Sequence, residues 1–181
     1  MSDATHKQAL SAFLADVEKR AFRMAQVSTG NRDDALDIVQ DSMIKLVNNY
    51  ADKDADQWPP LFYRILNNRI NDHHRRNKTR QLLFGWFGPP TDDKQSDEIE
   101  NAPSLKPEAS EQLKSQRAIQ HLDQAITALP QRQQQAVMLR LWQGMDVATT
   151  AKAMGCTQGS VKTHYSRAIT KLRATLGEHW P

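Results

Sequence analysis

The chain has 181 residues, of which 39% are hydrophobic, 25% charged and 7% aromatic, with a formal net charge of +3 and a mean hydropathy of -0.70. The low aromatic content argues against one large core and favours two small helical units. No apolar run approaches the roughly 20 residues that cross a bilayer. The first residues lack the apolar stretch of a signal peptide. The single cysteine, Cys156, excludes an internal disulfide and an all-cysteine zinc site. We therefore expect a cytoplasmic protein with no membrane insertion.

The charges are unevenly distributed along the chain. Residues 62–80 carry six basic side chains against the single acid Asp72, and basic residues again dominate from Arg132 to Arg173. Residues 91–111, between these segments, are mainly acidic. Two basic segments separated by an acidic one favour contact with a polyanion at two places. For any one basic helix face, simple solvation remains the alternative.

Two helices are predicted at the start of the chain. Apolar residues recur at spacings of three and four from Leu10 to Met24, and Gly30 then indicates a helix end. Asn31 and Asp33 are residue types that cap the next helix. The apolar side chains expected on one face of that helix are Leu36, Val39, Met43, Leu46, Val47 and Tyr50.

A third helix is predicted over residues 61–76, after a polar loop over 51–60 that ends in two prolines. Phe62, Ile65, Leu66 and Ile70 share its apolar face. Its other face carries Arg64, Asn67, Asn68, Asn71 and Arg75. Asparagine is costly inside a helix, but its amide offers both a donor and an acceptor, which suits reading base edges. Arg69 falls among the apolar positions without a predicted partner.

Residues 81–110 have the composition of a flexible acidic linker that cannot bury enough surface to order itself. Within it, Trp86 and Phe87 are expected to pack on a neighbouring unit. Helical patterning resumes at Glu111, and Pro130 begins a further helix that carries Val137, Met138, Leu141 and Trp142.

A helix-turn-helix is predicted from Val147 to Arg173. Ala151 allows two helices to cross closely, Gly155 suits a positive φ, Thr157 is a helix cap, and Val161 fills the angle between the helices. The second helix turns its apolar stripe inward. The DNA-contacting side chains expected outside that stripe are Ser160, Lys162, Thr163, His164 and Arg167. An amphipathic helix with a merely solvated outer face is the alternative.

Three stretches together resemble the extracytoplasmic-function (ECF) group of bacterial RNA polymerase sigma factors of the sigma-70 family. They are DDALDIVQDSMIKL (33–46), LFYRILNNRINDHHRRNKTR (61–80), and the segment from LPQRQQ to the end of the helix-turn-helix (129–173). The resemblance implies an all-α fold with two small helical domains joined by a flexible acidic linker. The predicted domains are residues 1–80 and 111–181, with the linker over 81–110.

The resemblance also implies the partners and the site residues. Asp37, Gln40 and Asp41 would dock on the clamp helices of the polymerase β′ subunit, and the second domain would contact the β flap. The residues implied for the single-stranded minus-ten element are Trp58, Tyr63, Arg64, Asn67, Asn68, Asn71, Arg75 and Arg76. Those for the duplex minus-thirty-five element are Ser160, Lys162, Thr163, His164 and Arg167. An anti-sigma factor is an expected further partner, and no cofactor or metal is expected.

Two positions depart from the family pattern. Leu61 stands where the family usually has a tryptophan, and the tryptophan of this chain, Trp58, lies three residues upstream. Trp58 and Tyr63 could each be a core residue instead of a base-stacking residue. Thr149 and Thr150 replace an acid and an aliphatic residue in the first helix of the helix-turn-helix, which puts the packing of that helix in question.

Other functional classes fit the residues less well. Adjacent His73 and His74 point about 100° apart on a helix, so they do not readily share one metal with Asp72. The pair Ser160 and His164 lacks an orienting acid, so we expect no enzymatic activity. The main alternative is a stand-alone dimeric helix-turn-helix regulator, and a third interpretation is a sigma-like decoy that binds polymerase without starting transcription.

Overall fold

The computed structural model describes residues 3–87 and 107–177, and over these ranges the chain forms seven α-helices and no β-strand. The helices are α1 (Asp3–Thr29), α2 (Arg32–Tyr50), α3 (Trp58–Phe87), α4 (Pro107–Thr127), α5 (Gln131–Val137), α6 (Val147–Met154) and α7 (Gln158–Leu176). A short 3₁₀ helix, Ala55–Gln57, precedes α3, and a π-helical turn, Met138–Trp142, continues α5. The expectation of an all-α fold is confirmed. None of the described helices is both long and apolar enough to span a membrane.

The N-terminal half (residues 3–87) is a three-helix unit in which α2 packs against both α1 and α3. Asn31 caps α2, because its side-chain oxygen accepts hydrogen bonds from the amides of Asp33 at 2.8 Å and Asp34 at 3.0 Å. The two carboxylates in the first turn complement the positive end of the helix dipole. The predicted start of α2 is therefore confirmed, with Asn31 as the capping residue.

The buried face of α2 differs from the predicted one. Its buried residues are Ala35, Ile38, Val39, Ser42 and Leu46. Leu36 and Val47, which were expected in the core, are exposed. The expectation was wrong for these two residues because small side chains at positions 35 and 42 face the neighbouring helices. A pattern built on large apolar residues alone misses such a face.

Helix α3 is longer than predicted at both ends. It begins at Trp58, so both prolines of the predicted loop lie in its first turn. Proline is tolerated there because first-turn amides have no intrahelical acceptor. The helix continues to Phe87, and α4 begins at Pro107, so residues 81–87 and 107–110 of the predicted linker are helical. Residues 88–106, and the packing of Trp86 and Phe87, lie outside the described part of the chain.

The C-terminal half (residues 107–177) contains the predicted helix-turn-helix in α6 and α7. Gly155 ends α6 in the left-handed conformation with φ +62°, and Thr157 caps α7 by accepting from the amide of Ser160 at 3.1 Å. Val161 is fully buried between the helices, and Ala151 is also buried. The predicted turn is confirmed in each of these positions.

The two halves pack on each other through α3 with α6 and α1 with α4. Buried residues from both halves form one continuous apolar cluster. The composition had argued against a single large core, and the structure differs because two modest apolar clusters join where the halves meet.

Candidate nucleic-acid interface

The outer face of α7 presents the side chains predicted to contact duplex DNA. Lys162, Thr163 and Arg167 are exposed, and Ser160 and His164 are half-buried. The Thr163 hydroxyl donates to the carbonyl of Gly159 at 3.0 Å, and the Ser160 hydroxyl lies 2.9 Å from that of Thr157. The structure thus brings all five predicted residues into the first ten residues of one helix, and the N-terminal part of a recognition helix is what meets base edges.

Behind this face, α7 is held by packing and by two polar contacts. Ala168 and Leu172 are buried, and the Lys171 ammonium donates to the carbonyl of Ala128 at 3.1 Å. The Arg140 guanidinium lies over the ring of Tyr165, 5.8 Å from its centroid. A fixed scaffold lowers the entropic cost of presenting the outer side chains to a ligand.

The departure at Thr149 and Thr150 is accommodated by the capping of α6. Thr150 is fully buried, and its hydroxyl donates to the carbonyl of Asp146 at 2.6 Å, so no polar atom of this side chain lacks a partner. The Asp146 carboxylate accepts from the amide of Thr149, which lowers the pKa of Asp146. The two threonines therefore fit the helix-turn-helix.

The polar face of α3 is partly covered. Arg64, Asn68, Arg75 and Arg76 are exposed, whereas Asn71 is half-buried and Asn67 is buried. The C-terminal half contacts this face at two places. The Asn71 amide oxygen accepts from the Gln135 amide at 2.9 Å. The Arg64 guanidinium lies against Gly155, 3.8 Å from the position that a β-carbon would occupy there.

The two aromatic residues predicted to stack on bases are in the core of this structure. Trp58 is packed against Phe13 and His6 within the N-terminal half, and its indole N–H donates to the carbonyl of Tyr50 at 3.2 Å. Tyr63 donates its hydroxyl to the Gln143 amide oxygen at 2.5 Å, and burial raises the pKa of Tyr63 well above its ordinary value. In this conformation neither ring offers a stacking surface.

The face of α2 predicted to bind a protein partner carries a feature that the sequence analysis missed. Asp37, Gln40 and Asp41 are exposed as expected. An exposed stripe, here called the docking stripe, lies beside the two acids and comprises Leu36, Gln40, Ile44 and Val47. The available signal was the spacing of four, four and three residues, which places these side chains on one helix face. Apolar side chains exposed together on one helix face are a feature that protein-interaction surfaces share.

Arg69, for which the sequence offered no partner, pairs across the groove between α2 and α3. Its guanidinium lies 3.8 Å from the Asp41 carboxylate. The neighbouring His73 imidazole lies 3.8 Å from the Asp34 carboxylate and 2.9 Å from the Asn77 amide nitrogen. These contacts link the acidic side of α2 to the basic end of α3.

His73 lines this groove, and the neighbouring His74 ring lies 5.9 Å from the His73 ring, measured between ring centroids. Burial, and then the neighbouring charges of His73 and Lys78, lower the pKa of His74. Over the described residues, no group of three or more histidine, cysteine, aspartate or glutamate side chains is arranged to hold a metal ion.

Two family models match the chain in the order in which the two units occur. Residues 10–80 match Sigma-70 region 2, and residues 119–172 match Sigma-70, region 4. The first match covers α2 and most of α3, and the second covers the helix-turn-helix.

Curated proteins similar to this chain are described as RNA polymerase sigma factors. The chain is 26% identical to the RNA polymerase sigma factor SigV of Bacillus subtilis, over 95% of this chain and 93% of SigV. It is 28% identical to the ECF RNA polymerase sigma factor BldN of Streptomyces coelicolor, over 86% of this chain but only 55% of BldN. The chain thus spans about half the length of BldN.

Solved structures share the fold. The chain matches the sigma factor RpoE in complex with the anti-sigma factor NepR from Bartonella quintana with a TM-score of 0.66 and 24% identity, over 94% of this chain and 95% of that one. It matches CnrH, in complex with the cytosolic domain of CnrY, with a TM-score of 0.62 and 19% identity, over 96% and 95%.

Proposed function

Because this chain belongs to the ECF group of the sigma-70 family of RNA polymerase sigma factors, we propose that it binds core RNA polymerase and directs transcription initiation at a dedicated set of promoters. The observation that carries the proposal is the α6–α7 unit. The turn at Gly155, which has a positive φ, orients α7 so that its basic, hydroxyl-rich face is exposed.

In this proposal the minus-thirty-five element is read by α7. Lys162 and Arg167 supply phosphate or guanine contacts, and Ser160, Thr163 and His164 complete the base-facing surface. The basic contacts make the binding salt-dependent, since each neutralised phosphate releases counterions. The second unit would also contact the polymerase β flap.

The docking stripe on α2 is the proposed polymerase contact. Its apolar side chains would pack on the clamp helices of the β′ subunit, with Asp37 and Asp41 at its border. Binding interfaces commonly place apolar groups at the centre and charges at the rim, so the acids supply orientation and the stripe supplies buried area.

The minus-ten strand is assigned to the polar face of α3. Asn68 and Arg64 are exposed there, with Asn67 and Asn71 beside them and Arg75 and Arg76 one to two turns further along. Trp58 is left out of the proposed contact because His6 and Phe13 of α1 cover it. Tyr63 is buried beneath the polar face of α3 and supports that face without contacting the strand. The chain would act in the cytoplasm, where the polymerase is, and an anti-sigma factor is a further proposed partner.

A stand-alone dimeric regulator is the weaker candidate. It would leave the region 2 match over residues 10–80 without a role. A sigma-like decoy would use the docking stripe but not the α7 face.

The test is run-off transcription with purified bacterial core polymerase and promoter DNA from the source genome, with and without this protein. Discrete transcripts that require the protein support the proposal. No binding to core polymerase would overturn it in favour of the regulator, and binding without any transcript would favour the decoy.

A matched pair of substitutions tests the docking stripe. Ile44 on α2 and Ile119 on α4 are 51% and 49% exposed. Ile44→Ser should weaken binding to core polymerase, whereas Ile119→Ser should not. Equal binding by both variants would remove the stripe from the proposed interface.

A second pair tests α7. Lys162→Ala should weaken promoter binding and reduce the slope of log affinity against log salt by about one. Lys19→Ala, an exposed lysine on α1, serves as the control. An unchanged slope for Lys162→Ala would exclude a phosphate contact there.

A further inference from the structure

Arg140 lies in the π-helical turn between α5 and α6 and reaches two other elements. Its guanidinium donates a hydrogen bond to the carbonyl of Met145, the residue before the Asp146 cap of α6. The same guanidinium lies over the ring of Tyr165, in the middle of α7, at 5.8 Å from the ring centroid. One side chain therefore joins the start of α6 to the helix that carries the proposed base-contacting residues.

The backbone around Arg140 departs from α-helical geometry. In a π-helical turn each hydrogen bond spans five residues instead of four, and such turns are frequent at functional sites. Here the Gln143 amide donates to the carbonyl of Met138 at 3.2 Å. Leu139 before Arg140 is buried and Leu141 after it is exposed, so the half-buried Arg140 lies at the edge of the core. The widened turn is a first indication that Arg140 has a role of its own.

The other contacts that hold α7 are less directional. Val161, Ala168 and Leu172 are buried apolar side chains, and apolar burial is non-directional. Lys171, which bonds to a backbone carbonyl of α4, lies nearer the C-terminal end of α7, and an ammonium is a rotatable point charge on a flexible stem. A guanidinium is planar, presents its donors in a fixed fork and stacks on aromatic rings. Arg140 thus constrains the rotation of α7 in a way that the apolar core does not.

Tyr165 is adjacent to the residues proposed to contact the minus-thirty-five element. His164 precedes it, and Thr163 and Arg167 lie two positions to either side. Because these residues share one helix, a rotation of α7 at Tyr165 displaces the base-facing side chains together. Hydrogen bonds weaken with lost alignment, so a small rotation reduces the discrimination between base pairs.

The charge of Arg140 has a partner within the protein. The Asp146 carboxylate, next to Met145, accepts from the Thr149 amide at 2.6 Å. That hydrogen bond and, to a smaller extent, the charge of Arg140 lower the pKa of Asp146. The guanidinium therefore already has a hydrogen-bond acceptor, an aromatic ring and a nearby carboxylate in the free chain, which suits a side chain that holds α7 in place.

We propose that Arg140 is a positioning residue for promoter recognition: it fixes the orientation of α7 through Met145 and Tyr165, and so sets how strongly initiation depends on the sequence of the minus-thirty-five element. This inference rests on the proposed function and deepens it, because it adds a residue outside the α7 face that touches no base itself. The competing role for Arg140 is a direct phosphate contact, which would act on all DNA sequences alike.

Run-off transcription on two templates tests the proposal. The first template is a promoter identified with the parent chain, and the second carries one base-pair change that weakens its minus-thirty-five element. The ratio of the two transcript yields measures the dependence on that element. Arg140→Gln should lower the ratio severalfold, because loss of the cation–π contact and of a hydrogen bond frees α7 to rotate. Loss of a phosphate contact would lower both yields alike, and a lower yield with an unchanged ratio would overturn the proposal.

Tyr165 offers a matched pair that leaves Arg140 in place. Tyr165→Phe keeps the aromatic face and should retain the parent ratio, whereas Tyr165→Leu removes that face and should lower the ratio. The double variant Arg140→Gln, Tyr165→Leu should match Arg140→Gln, because both changes break the same contact; fully additive effects would contradict this. Lys152→Gln removes an exposed positive charge from α6 and should leave the ratio unchanged. A lower ratio for Lys152→Gln would show that loss of charge alone is enough.

Equal amounts of reconstituted holoenzyme separate positioning from simple loss of structure. A merely structural role for Arg140 would lower the urea midpoint of the chain but would leave the ratio of the two yields unchanged, since only folded, polymerase-bound chains are compared. A parent-like ratio for both Arg140→Gln and Tyr165→Leu would overturn this inference and leave the proposed function in place. Failure of the parent chain to bind core polymerase or to yield any transcript would refute the proposed function itself.

Discussion

Replacing Gly155 by alanine perturbs the turn between α6 and α7 through the backbone alone. Gly155 has φ +62°, and a β-carbon added there would meet nothing closer than the Arg64 guanidinium at 3.8 Å, which is ordinary van der Waals contact. Steric clash therefore adds little. The left-handed conformation itself costs an L-residue about 1–2 kcal/mol, and this is the expected loss in the free energy of unfolding for Gly155→Ala.

Gly159→Ala, four residues later, is the matched control. Gly159 lies within α7, and its added β-carbon would meet only the Thr157 hydroxyl at 3.8 Å. Glycine in a helix is less favourable than alanine by about 0.5–1 kcal/mol, so this variant should be slightly more stable than the parent chain.

Urea denaturation followed by far-UV circular dichroism measures both effects. With a slope of about 2 kcal/mol per molar urea, the midpoint should fall by about 0.5–1 M for Gly155→Ala and rise by a few tenths of a molar for Gly159→Ala. A Gly155→Ala variant as stable as the parent chain, or a shift of both variants in the same direction, would refute a backbone cost at this turn.

Three further predictions follow from burial. Asn67→Leu should raise the free energy of unfolding by about 1–3 kcal/mol, because it replaces a buried amide without partners, and should lower run-off transcription; unchanged thermal stability would contradict this. Trp58→Ala should cost about 3–5 kcal/mol of stability as a core truncation, measured by denaturation; a stable variant with weaker binding to single-stranded DNA would instead identify Trp58 as a stacking residue. The pKa of His74 is lowered from 6.5 by burial, so the unfolded chain binds more protons and stability should fall as the pH drops below 6.5. His74→Gln should remove that part of the pH dependence, and an unchanged dependence would show that His74 does not cause it.

The local elements were predictable where a residue's role depends on its near neighbours. The left-handed turn at Gly155, the caps at Asn31 and Thr157, and the buried Val161 all follow from spacing within a few residues. Even there, the buried face of α2 was misassigned, because Ala35 and Ser42 are too small to be recognised as core residues from hydrophobicity alone.

The polar contacts between the two halves could not be predicted in the same way. Asn71 and Gln135 are 64 positions apart, and Tyr63 and Gln143 are 80 apart. Polar side chains carry no periodic signal for such pairing. The three asparagines of α3 indicated a polar face suited to binding nucleic acid. The sequence alone did not show that the C-terminal half of the same chain partly covers that face. The ion pair of Arg69 with Asp41 was unpredictable for the same reason, because the two residues lie on different helices.

The covalent connection between Phe87 and Pro107 lowers the affinity that the contact between the two halves needs. Two units joined by a short stretch of chain meet at an effective concentration of roughly millimolar. A contact with a dissociation constant near that value, worth only about 4 kcal/mol, is then closed in about half of the molecules. The hydrogen bonds Ser28–Gln134, Gln135–Asn71 and Tyr63–Gln143, together with the apolar cluster that continues across the two halves, are enough on this scale. A chain cut between the two halves would lose this advantage on dilution, and at micromolar concentration the same contacts would hold almost none of the halves together.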